Sequence, residues 1–163
     1  DPSVSPGTCF RITLPVAANE TSAARTSSSP LPAFANLKAL IVDDEVEVGE
    51  LNAEILRRDG FVVDYVCSGQ DALNRLRTSA YDIFLSDLNM PGVDGRRIYE
   101  TLVAEFPDML SRTAFITGDT MGQSSLALLK ESALPYLEKP VSPSELRNLV
   151  GALVTGQKDP KDG

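Results

Sequence analysis

From Leu37 onward the chain alternates two hydrophobic rhythms, and that alternation limits its possible fold more than any other feature. Leu40-Ile41-Val42, Ile83-Phe84-Leu85 and Ala114-Phe115-Ile116 are short, unbroken apolar runs. Runs of that length belong to strands covered on both faces. Residues 61–66 include Asp64, and residues 134–138 include Pro135, which has no amide proton to give to a ladder; both segments read as edge strands. Amphipathic stretches lie between them. Val48, Leu51, Ile55 and Leu56 fall at i, i+3, i+7 and i+8, and Gly60 supplies a stop. Leu73 with Leu76, Ile98 with Leu102 and Phe106, and Leu126 with Leu129 mark three further helices. The last helix carries the stripe Leu146, Leu149, Val150 and Leu153, opened by Ser142 as N-cap, Pro143 at the first helical position and Glu145 completing a capping box.

Strands alternating with helices imply right-handed crossovers and a parallel sheet covered on both sides, an α/β fold. With the second and fifth strands at the edges, the flavodoxin-like order 2-1-3-4-5 fits best. Such sheets bind ligands beyond the carboxyl ends of the strands, at the switch between the first and third.

The length of 163 residues suits one domain with tails. Residues 1–15 form a first zone, in which Phe10, Ile12 and Leu14 alternate with Arg11 and Thr13 as in a half-buried strand. Residues 16–36 are rich in Ala, Ser, Thr and Pro without periodicity and read as a linker. Residues 37–154 form the regular domain, and residues 155–163 a polar, flexible tail. The chain opens in mid-pattern and without Met, as a piece of a longer protein would.

Charge narrows the function. The net charge is −8, yet Asp1 and Glu20 balance Arg11 and Arg25, so all the excess acid follows Asn36. An acidic domain repels phosphate backbones and anionic lipid, which argues against nucleic acid or membrane contact. No apolar run is long enough to span a bilayer and no signal segment opens the chain, so a cytoplasmic location is expected. Histidine is absent, which removes any mechanism using the chain's own imidazole. Two cysteines, Cys9 and Cys67, have no metal-binding or redox spacing, and Cys67 is expected to be a buried filler.

The strand ends hold the chemistry. The first strand runs into Asp43-Asp44-Glu45, the third into Asp87-Leu-Asn-Met-Pro-Gly, the fourth ends in Thr117, and the fifth in Lys139-Pro140. Any one of these has a bland reading. Asp43 and Asp44 alone would be a helix N-cap, Thr117 a β-branched strand residue, and Lys139 a solvated loop lysine. Together they make one polar pocket. Converging carboxylates must take up protons or a cation, and oxygen-only ligands favour Mg²⁺. A carboxylate beside such an ion is a competent nucleophile toward a phosphoryl group, whose transfer needs mainly positioning and charge neutralisation.

In that ordered set of motifs, residues 37–154 resemble the receiver domain of response regulators. The resemblance implies a (βα)5 receiver fold with Asp87 as phospho-acceptor. It implies Mg²⁺ (or Mn²⁺) held by Asp43, Asp44, Asp87 and the backbone carbonyl of Asn89. Lys139 and Thr117 would contact the phosphoryl group, and Thr117 with Tyr136 would form the switch that alters the surface of the fourth helix, fifth strand and fifth helix. The implied donor is a phosphohistidine, on the chain's own kinase core or on a histidine phosphotransfer protein. Pro6-Gly-Thr-Cys-Phe-Arg-Ile-Thr-Leu-Pro15 is similar to the closing strand of a histidine-kinase ATP-binding domain, with Ser5 standing where that family's lead-in has its first glycine. Kinase end, linker and receiver is the order of a hybrid sensor kinase, the parent protein this implies.

Two other functions compete. A Mg²⁺-dependent phosphatase of the haloacid-dehalogenase type also uses a strand-end aspartate, but wants Asp-x-Asp where this chain has Asp87-Leu-Asn89. The other is an interaction domain that works without phosphorylation, against which the complete motif set speaks. Neither the phosphatase nor a conventional enzyme of another kind is expected here.

Overall fold

The computed structural model describes residues 34–118 and 122–156. Its strands are Lys38–Val42 (β1), Val62–Val66 (β2), Ile83–Asp87 (β3), Thr113–Thr117 (β4) and Tyr136–Glu138 (β5). All pair in parallel, in the order β2-β1-β3-β4-β5. This is the flavodoxin-like order expected. The helices are Val46–Arg58 (α1), Gly69–Thr78 (α2), Gly95–Glu105 (α3), Gln123–Ser132 (α4) and Pro143–Thr155 (α5). A 3₁₀ segment, Pro107–Arg112, adds a turn between α3 and β4. None of these helices is long and apolar enough to cross a membrane.

The unbroken apolar runs follow from two-sided burial. On β1, Ala39 and Ile41 pack into one layer with Ala53 and Leu56 of α1 and Leu146, Leu149 and Val150 of α5. Leu40 and Val42 point the other way, to Leu73 and Leu76 of α2 and Ile98 and Leu102 of α3. Side chains alternate along a strand, so both sets must be apolar. Phe115 joins Leu88, Leu128 and Leu129 in a third cluster under α4.

Local signals mark the helix ends, as expected at Gly60 and Ser142 and also at Ser68 and Asp94. Ser68 Oγ accepts the Asp71 amide and Asp94 Oδ1 the Arg97 amide, while Ser142 and Glu145 form the full capping box. Gly60 takes a φ of 103° after α1, a conformation that strains any residue with a Cβ.

Five sequence expectations need correction. The buried face of α1 is Gly49, Asn52, Ala53, Ile55 and Leu56, whereas Leu51 is 59% exposed. Gly49 belongs to that face because the Tyr65 ring takes the space of its side chain, so a stripe drawn from large apolar residues alone is out of phase. Helix α4 likewise buries Ser125, Leu128 and Leu129 and leaves Leu126 outside. Cys67 is exposed, because it follows the last residue of an edge strand. Finally, packing starts earlier than residue 37: Phe34 stacks on Phe61 with ring centroids 4.8 Å apart, joining the α1/α5 layer. Helix α5 also continues through Thr155. The strand expected at residues 10–14 lies outside the described residues.

Gly69, the first residue of α2, sits where a Cβ would overlap the Val93 carbonyl oxygen and lie 2.9 Å from Val93 Cβ. Backbone cannot yield as a flexible side chain can. Gly69→Ala should therefore cost about 1–3 kcal/mol, the range for overpacking, read as a lower urea midpoint with an unchanged slope. A midpoint equal to that of the wild type would show that the loop at Val93 gives way freely.

Candidate functional site

Strands β1 and β3 are neighbours, but their chains leave in opposite directions. Helix α1 packs on one face of the sheet and α3 on the other. A crevice therefore opens beyond the two carboxyl ends. Asp43 follows the last residue of β1, and Asp87 is the last residue of β3.

Asp43 and Asp87 are only 2% and 4% exposed, while Asp44 lies at the open rim. One carboxylate oxygen from each of Asp43, Asp44 and Asp87 lies within 4.8 Å of the other two. Lys139, one residue beyond β5, reaches across the sheet to this cluster. Its Nζ is 2.9 Å from Asp43 Oδ2, 3.0 Å from Glu45 Oε1 and 3.2 Å from Asp87 Oδ2. One ammonium thus faces a group of four carboxylates.

Backbone groups fix the carboxylates. The Glu45 amide donates to Asp43 Oδ1 at 2.9 Å, and the Asn89 amide donates to Asp87 Oδ1 at 3.3 Å. The Lys139 amide donates to the Thr117 carbonyl at 2.8 Å, tying the lysine's strand to the end of β4. Thr117 is fully buried, and its register partner on β5 is Glu138. Asp87 is in register with Ile116, so Thr117 stands one residue beyond it on the adjacent strand. Asn89 Oδ1 accepts Ser125 Oγ of α4 at 3.4 Å. Tyr136 opens β5 and is 41% exposed.

Burial pushes the Asp87 carboxyl above its ordinary value. The Lys139 ammonium opposes that shift, and the Asp43 charge adds to it. Burial works against the Lys139 ammonium too, but hydrogen bonds to Asp43 and Glu45 and the Asp87 charge outweigh it. The lysine is held charged, above its usual range. The site carries more negative charge than one cation can satisfy.

Such a donor set fits a hard divalent ion. Three carboxylate oxygens can approach one centre, two of them on buried groups whose mutual repulsion the ion would relieve. All donors in the cluster are oxygens, as Mg²⁺ or Mn²⁺ prefers.

Two residues contribute that the motifs did not single out. Glu45 adds a third carboxylate to Lys139; its place directly after Asp43-Asp44 was the only hint. Tyr65, on β2, donates its hydroxyl to the Asp43 carbonyl at 2.7 Å. Burial raises that hydroxyl to about 12, so it stays protonated and remains a donor near neutrality. Nothing in the linear pattern marks this tyrosine, because the contact joins β2 to the distant loop after β1.

A five-stranded parallel sheet in this order, with an acid cluster at its switch point and a lysine reaching in from β5, is the architecture of a receiver module. Residues 39–151 match the family described as the response regulator receiver domain, and the chain belongs to that family. Its place is therefore in two-component signalling. It is 30% identical over 122 residues to the response regulator protein FleR of Pseudomonas aeruginosa, covering 74% of this chain and 25% of that protein. It is 35% identical over 104 residues to the transcriptional regulatory protein ZraR of Salmonella typhimurium, covering 63% of this chain and 23% of that one. The chain thus spans about a quarter of the length of these relatives. Among solved structures, a CheY-like receiver domain from Methylobacillus flagellatus aligns with a TM-score of 0.61 at 31% identity, covering 73% of this chain and 99% of that one. A CheY-like receiver domain protein from Methanospirillum hungatei aligns with a TM-score of 0.69 at 22% identity, covering 79% of this chain and all of that one, and bears on the fold alone.

Proposed function

We propose that Asp87 accepts a phosphoryl group from a phosphohistidine in a Mg²⁺-dependent reaction, and that the resulting acyl phosphate changes the surface made by α4, β5 and α5. The observation that carries this reading is the Lys139 ammonium, shared by Asp43, Glu45 and Asp87 within 3.2 Å. An ammonium so placed can move from carboxylates to a phosphoryl group without leaving the site.

In the step proposed, a carboxylate oxygen of Asp87 forms a bond to phosphorus as the donor's N–P bond breaks. The departing imidazole takes a proton from solvent. Asp43, Asp44, Asp87 and the Asn89 carbonyl would hold the ion, which would neutralise charge on the transferring oxygens. Lys139 binds one phosphoryl oxygen, and the Thr117 hydroxyl hydrogen-bonds to another. Tyr136 then turns inward as Thr117 moves. The donor is a kinase core or a histidine phosphotransfer protein, because a chain without histidine cannot supply the phosphohistidine within residues 1–163. A hybrid-kinase parent rests on Pro6 to Pro15 alone. The two named relatives are regulators, and the sequence upstream of Asp1 is the test of that parent.

Incubation with acetyl phosphate and Mg²⁺ should add the mass of one phosphoryl group, and a chelator should prevent it. No gain in mass would reject the assignment and favour the phosphorylation-independent interaction domain. Repeated turnover of a generic phosphomonoester would instead revive the phosphatase reading.

A further inference from the structure

Tyr65 belongs to an edge strand, where an aromatic residue ordinarily only packs. Here it does more. Its hydroxyl is 2.7 Å from the carbonyl oxygen of Asp43, and its ring lies against α1 at Gly49. A Cβ on Gly49 would overlap Tyr65 Cε2 and lie 2.8 Å from Cζ, so the ring fills the space that a side chain at position 49 would take. Strand β2 ends at Val66, whose carbonyl accepts the Asp43 amide at 3.3 Å. Beyond that point the Tyr65 hydroxyl gives the Asp43 carbonyl the donor that a continuing strand would have given.

That carbonyl belongs to the rigid peptide plane joining Asp43 to Asp44. Holding it fixes how the two carboxylates are set relative to one another, one buried and one at the rim. We propose that Tyr65, seated on Gly49, is a positioning residue that sets the Asp43-Asp44 pair for a divalent cation. This rests on the metal-dependent reading above. Tyr65 does not touch the ion or the phosphoryl group; it acts through the backbone of Asp43.

Tyr81 provides the matched control. Its hydroxyl donates to Asp64 Oδ2, also on β2, at 2.6 Å. Tyr65→Phe and Tyr81→Phe each remove a tyrosine hydroxyl that is hydrogen-bonded beside β2 and keep the ring. The full chain and both variants are titrated with Mn²⁺ by electron paramagnetic resonance, after circular dichroism has shown each to be folded. Loss of a group that orients a metal ligand weakens affinity by about tenfold or more. Tyr65→Phe should show that loss, and Tyr81→Phe should bind as the wild type does. With saturating Mg²⁺, acetyl phosphate should label Tyr65→Phe at close to the wild-type rate, because the defect lies in ion binding.

Wild-type affinity in Tyr65→Phe, or equal losses in both variants, would overturn the inference while leaving the proposed function standing. A wild-type chain that binds no Mn²⁺ would overturn both.

Discussion

Lys139→Ala should unfold far more easily than the wild type in metal-free buffer, and Mg²⁺ should restore much of the difference. The lysine side chain is 12% exposed, and the side chains of its partners Asp43 and Asp87 are 3% and 5% exposed. Removing one partner of a buried ionic cluster costs about 3–5 kcal/mol, because the remaining charges stay buried without compensation. Here two buried carboxylates would be left together beside Asp44 and Glu45, so the effect belongs near the upper end of that range. The loss should shrink in acid, where the carboxylates escape repulsion by taking up protons. Added Mg²⁺ stabilises whichever state it binds by mass action. A site stripped of its ammonium is more negative, so the melting temperature of the variant should rise more with Mg²⁺ than that of the wild type. Equal metal-free stability, or an equal response to the ion, would show that Lys139 is not what neutralises this cluster. Phosphorylation of the variant should also be slow, since the ion alone would then face the transferring oxygens.

The fold was legible because two-sided burial leaves a strong linear trace. Leu40-Ile41-Val42 and Ile83-Phe84-Leu85 cannot alternate in polarity when α1 and α5 cover one face and α2 and α3 the other. Cap chemistry was equally readable at Ser142, Pro143 and Glu145, because it acts over a single helical turn. The acid cluster could be foreseen for a topological reason. Asp43 and Asp87 end adjacent strands, and adjacency follows once the strand order is known.

What failed to show in the sequence depends on shape and distant contact. Leu51 is apolar and correctly spaced, yet α1 turns Gly49, Asn52 and Ala53 inward because the Tyr65 ring requires a glycine under it. Tyr65 itself gives no signal, since its partner is a backbone carbonyl in the loop that follows β1. Phe34 sits in a stretch whose composition reads as linker, but a single stacking contact with Phe61 draws it into the core. Composition averages over segments, and single aromatic contacts escape it.

Asp87→Asn should abolish phosphoryl uptake and yet make the metal-free protein more stable. The loss should be complete, because the amide has no carboxylate oxygen with which to form the acyl phosphate, and it is read directly as absence of the added mass. The gain in stability follows from burial. Desolvation raises the Asp87 carboxyl above its ordinary 3.8, so the folded chain binds this proton more tightly than the unfolded chain does. Between those two values the native state holds more protons, and linkage makes stability fall as pH rises through that interval. Above it the full penalty of an ionised, buried Asp87 is present. Asparagine has no such titration. The advantage of the variant over the wild type should therefore grow as pH is raised from below 3.8 toward neutrality and then level off, as urea melts in chelator would show. Lys139 keeps Asp43 and Glu45 as partners in the variant, so its own charge remains satisfied. Adding Mg²⁺ at neutral pH should narrow or reverse the difference, since the wild type regains through the ion what it loses to repulsion. A variant less stable than the wild type at neutral pH without metal would mean that the Lys139 contact outweighs the burial of Asp87. The site would then be at rest without a cation, and its charge imbalance could not be what draws in the ion and the phosphoryl group.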